Sequence, residues 1–313
     1  MTIFLNALFY IGAFIFIWLG SGLIVSSMDR FSKRLRISRF AVSFIILGIL
    51  TSTPELGVGL TAISNKDPEI FVGNLIGGIP VLFLFVIPIL AIFGNGINLR
   101  HQLSHKNIIA TLLVAITPAL MVLDQKVSFI EGLILIIMYV MLILFVQRKH
   151  GILDREHTNV LNMRAYSYKD IIKLLVGVGF VFVASNVIVD QTLFFSSILG
   201  MTPFLISLLI LSLGTNLPEL SLAIRSILSG KKDIAFGDYL GSSAANVFLF
   251  GLLTVINRGE VETDNNFFVT FVFIFLGLIL FYFFARTKES ISRIEGILLL
   301  SVYIMFVLVE SIF

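Results

Sequence analysis

The sequence predicts an all-α polytopic membrane protein with ten transmembrane helices arranged as two inverted five-helix repeats. Three observations lead to this prediction. Hydrophobic residues make up 58% of the 313 positions and charged residues only 13%, a balance typical of chains that lie in lipid. Apolar runs of spanning length occur ten times along the chain. A short motif around Glu55 recurs around Glu219, which indicates an internal duplication.

Polar breaks separate the apolar runs, and each run meets or approaches the roughly 20 residues that a helix needs to cross the hydrocarbon. The runs are residues 3–27, 38–63, 70–95, 107–123, 127–147, 169–190, 199–227, 235–256, 266–286 and 292–312. Because the first run has no leading positive charge, we expect a membrane helix there and not a signal peptide. The longest polar segment separates the repeats, which predicts a first repeat at 1–150, a cytoplasmic linker at 151–168 and a second repeat at 169–313.

The distribution of Lys and Arg predicts the orientation in the membrane. With the N-terminus outside, 19 of the 22 Lys and Arg residues fall in cytoplasmic connections and only Lys66, Lys126 and Arg258 fall in external ones. Each repeat has an odd number of spans, so the second repeat enters the membrane from the opposite side and both termini lie outside. Such inverted repeats are typical of secondary transporters, which bind substrate near the midplane. We expect an integral protein of a prokaryotic plasma membrane.

The two repeats align at a constant offset of 164 residues. Residues 51–56, with the sequence TSTPEL, match residues 215–220, with the sequence TNLPEL. The same offset relates Ser21 to Ser185, Gly73 to Gly237, Gly77 to Gly241, and Glu131 to Glu295. The last pair stands at the start of the fifth and tenth spans, where we expect acids that favour a helix N-terminus.

Glu55 and Glu219 each lie deep in an apolar span. An ionisable group at that depth costs about 2.5–3.5 kcal/mol on insertion scales, so a face turned to lipid is disfavoured. A protonated glutamate that bonds a neighbouring helix is the structural alternative. That alternative explains one such residue better than two at matching positions of an inverted repeat. We therefore interpret the pair as a binding site for a transported cation.

Further oxygen atoms accompany both glutamates on the same helix faces. They belong to Thr51 and Ser52 in the first repeat and to Thr215 and Asn216 in the second. Pro54 and Pro218 have no N–H, so the carbonyls four residues before them lose a helical partner and become further candidate ligands. Hard oxygen ligands of this kind suit Ca²⁺ or Na⁺ rather than zinc or copper, and a loose cage favours Ca²⁺ over Mg²⁺.

The eighth span adds three polar residues at four-residue spacing, Asp238, Ser242 and Asn246. This spacing places them on one helix face. The matching positions of the first repeat are Asn74, Gly78 and Leu82. The second repeat is therefore expected to supply more of the site.

These motifs resemble those of the cation/Ca²⁺ antiporter superfamily, especially its prokaryotic Na⁺/Ca²⁺ exchangers, and the resemblance extends over essentially the whole chain. The resemblance implies that Glu55 and Glu219 bind Ca²⁺ together with main-chain oxygens near Thr51 and Thr215. It also implies that three further residues complete Na⁺ sites: Ser52, Asn216 and Ser242. Asn246 stands where the family often has an acid or amide.

Three positions depart from the family pattern. Gly78 replaces a serine, Leu82 replaces an asparagine, and Asp238 replaces an asparagine. The loss of two oxygen ligands from the first repeat leaves the Na⁺ stoichiometry open. It also keeps a cation/proton exchanger of the same superfamily as an alternative.

The predicted function is secondary active antiport of Ca²⁺ against Na⁺ by alternating access, with the first and sixth helices sliding over a fixed core as the resemblance implies. The alternatives are a Ca²⁺/H⁺ exchanger, a non-selective cation channel and a non-transporting homologue. We expect no enzymatic activity, because an intramembrane aspartyl protease would need a second intramembrane aspartate besides Asp238. The expected partners are Ca²⁺, Na⁺ (or H⁺) and the lipid bilayer, with no organic cofactor and no nucleic acid. The oligomeric state stays open, a monomer included.

Overall fold

The structure, a computed structural model, describes residues 2–32, 48–98, 105–150, 168–229, 232–263, 267–287 and 289–312. Nearly all of these residues are helical, and they include nine segments long and apolar enough to cross a membrane. The second predicted span begins outside the described residues, and most of the predicted linker also lies outside them.

The helices of the first half follow the predicted runs closely. They are α1 (Thr2–Ser32), α2 (Gly48–Thr51), α3 (Thr53–Asn65), α4 (Glu69–Pro80), α5 (Ile87–Phe93), α6 (His105–Met121) and α7 (Phe129–His150). A π-helical segment, Val81–Val86, joins α4 to α5, so the two form a single span. Nearly all of α4 is buried, which places this helix at the centre of the molecule.

The second half repeats the order of spans. Its helices are α8 (Tyr168–Leu199), α9 (Pro203–Ile206), α10 (Ser212–Thr215), α11 (Leu217–Ser229), α12 (Lys232–Asn257), α13 (Phe268–Thr287) and α14 (Arg293–Glu310). The single helix α12 corresponds to α4, the π-helical segment Val81–Val86 and α5 of the first half together. The π-helical segment Ser207–Leu211 joins α9 to α10. A single residue outside the helical segments separates α2 from α3 and α10 from α11. These residues are Ser52 and Asn216.

The boundary between the sixth and seventh spans differs from the prediction. The sixth span was expected to end at residue 190, but α8 continues to Leu199 because Asp190 lies on the exposed side of the helix. Gly200 then ends α8 with a φ of +67°, a conformation that favours glycine. The hydroxyl of Thr202 starts α9 by accepting a hydrogen bond of 3.2 Å from the backbone N–H of Leu205.

Two short antiparallel β-ladders reveal the symmetry of the fold. β1 (Ile97–Asn98) pairs with β4 (Ser290–Ile291), and β2 (Lys126–Val127) pairs with β3 (Val261–Glu262). The offset of 164 converts β1 into β3 and β2 into β4. It also converts each residue pair of one ladder into a residue pair of the other. The two repeats are therefore related by a pseudo-twofold axis, as inverted topology requires.

The N-termini of α7 and α14 follow the same symmetry. The backbone N–H of Ser128 donates to the Glu131 carboxylate at 2.7 Å, and that of Ser292 donates to the Glu295 carboxylate at 2.7 Å. Each serine hydroxyl accepts a bond from its glutamate N–H in return, which completes a capping box. This arrangement confirms that the two glutamates act as helix N-terminal acids.

Helices α1 and α8 cross at glycines on the outside of this core. A Cβ atom at Gly20 would lie 2.8 Å from the Gly177 carbonyl oxygen, and one at Gly177 would lie 2.7 Å from the Gly20 carbonyl oxygen. Small residues permit such close backbone approach within a membrane. The Tyr10 hydroxyl also bonds the Thr192 hydroxyl at 2.8 Å in the buried contact between the two helices.

Candidate cation-binding site

Interrupted helices position the two predicted carboxylates. The breaks fall at Ser52 (φ −81°, ψ 12°) and Asn216 (φ −86°, ψ 14°), two residues that match at the repeat offset. Glu55 and Glu219 follow in the first turns of α3 and α11, and each side chain is only 1% exposed. Their charges lie close enough to interact electrostatically. The fold therefore brings the two glutamates together in one buried site.

Close contacts between glycines and the opposite repeat bring the supporting helices to these breaks. A Cβ atom at Gly48 would lie 2.5–2.8 Å from backbone atoms of Gly241 and Ser242. At the symmetry-related contact, a Cβ atom at Gly77 would overlap the Leu208 carbonyl and the Ser212 side chain. Helix α12 can thus approach α2, and α4 can approach α10, only because these positions lack a side chain.

Each carboxylate has a hydroxyl of the opposite repeat beside it. Thr215 lies beside Glu55, and Thr51 lies beside Glu219. The Thr51 and Ser242 hydroxyls are hydrogen-bonded at 2.8 Å, and Ser242 also lies beside Glu219. The two repeats therefore interlock at the site, and neither repeat alone contains a complete set of these neighbours.

The residues at the breaks make matching intrahelical bonds. The Ser52 hydroxyl donates to the Gly48 carbonyl at 3.0 Å, and the Asn216 side-chain amide donates to the Ser212 carbonyl at 2.8 Å. Because the amide nitrogen of Asn216 makes this bond, its Oδ1 is left to face another group. That oxygen is buried and has no hydrogen-bond donor among the described residues.

Gly78 lies against two side-chain amides of the second repeat. A Cβ atom there would be 3.0 Å from Asn246 Nδ2 and 3.6 Å from Asn216 Nδ2. Asn246 is buried in the same region, whereas Leu82, its counterpart in the first repeat, packs within the apolar core. Asp238 belongs to α12, but its side chain lies outside the described part of the structure.

Five buried oxygen atoms at this site have no hydrogen-bond donor among the described residues. They are both carboxylate oxygens of Glu55, Oε2 of Glu219, and Oδ1 of Asn216 and of Asn246. Buried acceptors without a partner are rare in folded proteins, because each pays an uncompensated desolvation cost. Carboxylate and amide oxygens are also the ligands that Ca²⁺ takes in proteins. The donor set therefore fits a hard cation.

One predicted set of ligands, the carbonyls freed by the prolines, differs between the repeats. The Leu50 carbonyl, four residues before Pro54, accepts a hydrogen bond of 2.6 Å from the Thr53 hydroxyl. In the second repeat, Thr53 is replaced by Leu217, which has no hydroxyl to donate such a bond. In the first repeat the loss of the helical partner is thus compensated within the chain.

Two polar residues of the site did not enter the predicted set. Asn74 Oδ1 accepts a hydrogen bond of 3.0 Å from the Thr215 hydroxyl, and the buried Ser243 hydroxyl has no partner among the described residues. Asn74 could have been found from the sequence, because the repeat offset aligns it with Asp238. Ser243 gives a weaker signal, since its counterpart in the first repeat is the apolar Ile79.

Comparison with known proteins accounts for this combination of fold and site. The sequence profile of the family described as sodium/calcium exchanger protein matches residues 5–147 and 169–311, one segment in each repeat. The chain belongs to the sodium/calcium exchanger protein family. This family consists of transporters and not of enzymes.

Individual relatives match the chain over nearly all of its length or over part of it. CaxA of Alkalimonas amylolytica is 28% identical over 93% of this chain and 96% of its own length. The sodium/calcium exchanger MaX1 of Methanosarcina acetivorans is 32% identical over 45% of this chain and 40% of its own length. A solved structure of the sodium–calcium exchanger NCX_Mj has a TM-score of 0.67 at 24% identity and covers 97% of this chain and 98% of its own. The likeness to that structure confirms the predicted fold class.

Proposed function

We propose that this protein is a secondary active antiporter that exchanges Ca²⁺ for Na⁺ across a prokaryotic plasma membrane by alternating access. One observation carries the proposal: Glu55 and Glu219, from oppositely oriented repeats, meet in a buried site whose oxygen atoms lack hydrogen-bond donors among the described residues. Membership of the exchanger family supports the class of transport. The name of MaX1 supports the choice of the two ions.

The proposed roles follow from the positions of the side chains. Glu55 and Glu219 would hold Ca²⁺ between them and supply its compensating charge. The remaining ligands would be oxygens of the supporting residues Thr51, Thr215, Ser52, Asn216, Ser242, Asn246 and Asp238. The hydroxyl and amide oxygens among them add ligands without adding charge, whereas the Asp238 carboxylate would add one further negative charge.

Buried charge explains why transport would be an exchange. With no cation bound, two like charges would face each other in a medium of low dielectric constant, where their repulsion is strong. One Ca²⁺ neutralises both carboxylates, and so do two monovalent cations. The change between outward-open and inward-open states is therefore favourable only for the neutralised site, which couples Ca²⁺ movement in one direction to counter-ion movement in the other.

The site needs a moving element, because both carboxylates are almost inaccessible to solvent in this conformation. Helices α1 and α8 suit that role. They pack on each other at glycines and lie on the outside of the core, with many large apolar side chains exposed toward the lipid. We propose that they slide together over the remaining helices and open the site to each side of the membrane in turn.

Two buried amide oxygens favour Na⁺ over H⁺ as the counter-ion. A proton needs only a carboxylate oxygen, whereas Asn216 Oδ1 and Asn246 Oδ1 are additional acceptors that a metal cation can use. A Ca²⁺/H⁺ exchanger would leave these two oxygens without a role during the return step. Na⁺ therefore accounts for more of the observed donor set.

Flux measurements in proteoliposomes test the proposal. Vesicles loaded with Ca²⁺ receive an imposed Na⁺ gradient or an imposed pH gradient, each applied alone, and Ca²⁺ efflux is followed. We expect efflux under the Na⁺ gradient and little under the pH gradient. Efflux under the pH gradient alone would identify a Ca²⁺/H⁺ exchanger. Efflux without either gradient would identify a channel.

Three glutamine variants assign the activity to the site. We expect Glu55→Gln and Glu219→Gln each to abolish Ca²⁺ flux, because each removes one of the two charges that a Ca²⁺ ion needs. Glu131→Gln is the matched control, since it changes a glutamate at a helix N-terminus and away from the site. This control should retain most of the flux. Normal flux in either Glu55→Gln or Glu219→Gln would contradict the proposed binding mode.

A further inference from the structure

Asn74 is fully buried on α4, beside Gly73 and about one helical turn before Gly77. A Cβ atom at Gly73 would lie 2.3 Å, and one at Gly77 would lie 2.2 Å, from a backbone carbonyl oxygen of the second-repeat segment that leads from α9 to α10. Helix α4 can therefore pack directly against the backbone of that segment. This close contact brings Asn74 to Thr215, the last residue of α10.

The Thr215 hydroxyl has one hydrogen to donate, and Asn74 is its nearer acceptor. Thr215 Oγ1 donates to Asn74 Oδ1 at 3.0 Å, whereas the intrahelical alternative, the Ser212 carbonyl, lies at 3.4 Å. A hydroxyl oxygen also has two lone pairs. Because Asn74 takes the hydrogen, these lone pairs remain for another group. The Thr215 side chain lies beside Glu55, so that group is at the candidate cation site.

The direction of this hydrogen decides what Thr215 offers to a cation. A hydroxyl that donated to Glu55 would occupy one carboxylate oxygen and would place a partly positive hydrogen beside the bound ion. In the structure both carboxylate oxygens of Glu55 have no hydrogen-bond donor among the described residues. With its hydrogen held by Asn74, the Thr215 hydroxyl adds a third oxygen acceptor next to these two.

The other end of the Asn74 amide has no comparable partner. Its Nδ2 atom is buried and has no hydrogen-bond acceptor among the described residues. An unsatisfied buried donor lowers the stability of a fold. Folding alone therefore does not account for an asparagine at this position, whereas the hydrogen bond that its oxygen accepts from Thr215 connects it to the site.

We propose that Asn74 is a positioning residue of the cation site, which accepts the hydroxyl hydrogen of Thr215 and thereby turns the Thr215 oxygen toward the bound ion. This inference rests on the proposed exchange function and adds a residue that acts through one of its ligands. Replacement of groups that orient metal ligands typically changes metal affinity about 10- to 100-fold. Without Asn74, the Thr215 hydrogen would turn to the Ser212 carbonyl, a bond typical of threonine in helices, or to Glu55.

A double-mutant cycle on Ca²⁺ affinity tests this role. Binding of radioactive Ca²⁺ to the whole chain in detergent is measured for Asn74→Leu, alone and together with Thr215→Val, which removes the hydroxyl but keeps the shape of the side chain. We expect Asn74→Leu alone to raise the apparent dissociation constant for Ca²⁺ by about 10-fold or more. It should have no further effect when Thr215→Val is present. Equal losses of affinity in both backgrounds, or no loss in either, would overturn the proposal.

Two further threonine variants serve as controls for the cycle. Thr215→Ser keeps the hydroxyl, so Asn74→Leu should still weaken Ca²⁺ binding about 10-fold in that background. Thr254→Val removes a buried hydroxyl that donates to the Phe250 carbonyl at 2.8 Å within α12, where Thr254 packs on Gly132. The effect of Asn74→Leu should be the same with and without Thr254→Val. Loss of the effect in Thr215→Ser would contradict a role through the hydroxyl.

Two other measurements separate this inference from the proposed function. If the unmodified chain binds no Ca²⁺, the exchange function fails and this inference fails with it. If Glu55→Gln abolishes Ca²⁺ binding but the cycle shows no coupling, only the role of Asn74 is overturned. The melting temperature of Asn74→Leu should be unchanged or higher, because an unsatisfied donor is removed. Asn74→Ala removes the same acceptor and takes its place in the cycle if the leucine variant does not fold.

Discussion

Single residues decide how the two repeats fit together at the site. Gly48 and Gly241 let α2 and α12 approach until their backbones touch, and this approach brings Ser242 to the hydroxyl of Thr51. Gly78 has no hydroxyl at the position equivalent to Ser242, and Thr215 donates a hydrogen bond to Asn74. The repeat alignment predicted where both differences would fall. It could not predict which partner each threonine would take, since that depends on distances between helices that are far apart in the chain.

The role of Gly48 leads to a stability prediction. Gly48→Ala places a methyl group 2.5–2.8 Å from backbone atoms of Gly241 and Ser242, so one of the two helices must move. We expect a loss of roughly 1–3 kcal/mol in the free energy of unfolding, the usual range for overpacking a close contact. Thermal unfolding of the purified protein in detergent measures the effect.

Gly22→Ala is the matched control for this substitution. A Cβ atom at Gly22 has nothing within 4 Å, and the residue is exposed on α1. The melting temperature should therefore stay the same or rise slightly, because alanine favours a helix more than glycine does. Equal melting temperatures for the Gly48 and Gly22 variants would show that α2 and α12 are not in close contact.

Helices differ in how firmly they are tied to the rest of the fold. The two β-ladders connect loops of opposite repeats, and the β2–β3 ladder also has a salt bridge of 3.1 Å between Lys126 and Glu262. Helix α1 is held on α11 by a hydrogen bond of 2.5 Å from Trp18 Nε1 to the Ser221 hydroxyl. The corresponding residues on the other side, Phe182 and Gly57, cannot form such a bond.

Cross-links between these elements test which of them move. The chain has no cysteine, so each pair of introduced cysteines reacts without a background. A short bifunctional thiol reagent applied to Trp18→Cys/Ser221→Cys should stop Ca²⁺ exchange, because it ties α1 to α11. The same reagent applied to Lys126→Cys/Glu262→Cys should leave exchange intact, because β2 and β3 stay paired. Exchange that survives the first cross-link would exclude sliding of α1 over α11.

The whole molecule has the internal symmetry that its sequence repeat predicts. The offset of 164 residues relates the two glutamates, the two helix breaks, the two capping boxes and the two β-ladders. The same offset relates Gln125 to Glu289. Both residues are exposed, and both have a positive φ just before a strand. An inverted repeat places such a pair on opposite sides of the membrane.

Labelling of these two positions tests the orientation. In intact cells we expect Gln125→Cys to react with a membrane-impermeant maleimide and Glu289→Cys to react only after the membrane is permeabilised. The physical reason is the excess of Lys and Arg in the connections assigned to the cytoplasm, which contain 19 of the 22 basic side chains. Labelling of both positions from outside would contradict inverted topology, and the reverse pattern would place the termini in the cytoplasm.

The sequence by itself determined the spans, the duplication, the family resemblance and the two glutamates. These features follow from composition and periodicity, because lipid admits few polar groups and each one must have a role. The end of the sixth helix was placed nine residues too early, since a single exposed aspartate looked like the end of a span.

Only the tertiary structure decided which atoms meet. It paired Thr51 with Ser242, turned two amide nitrogens toward Gly78, and left five oxygen atoms of the site without donors among the described residues. Periodicity shows which face of a helix a side chain occupies, but a contact between helices also depends on how closely their backbones approach. At this site, glycines of both repeats set that approach, and their effect appears only when the helices are packed together.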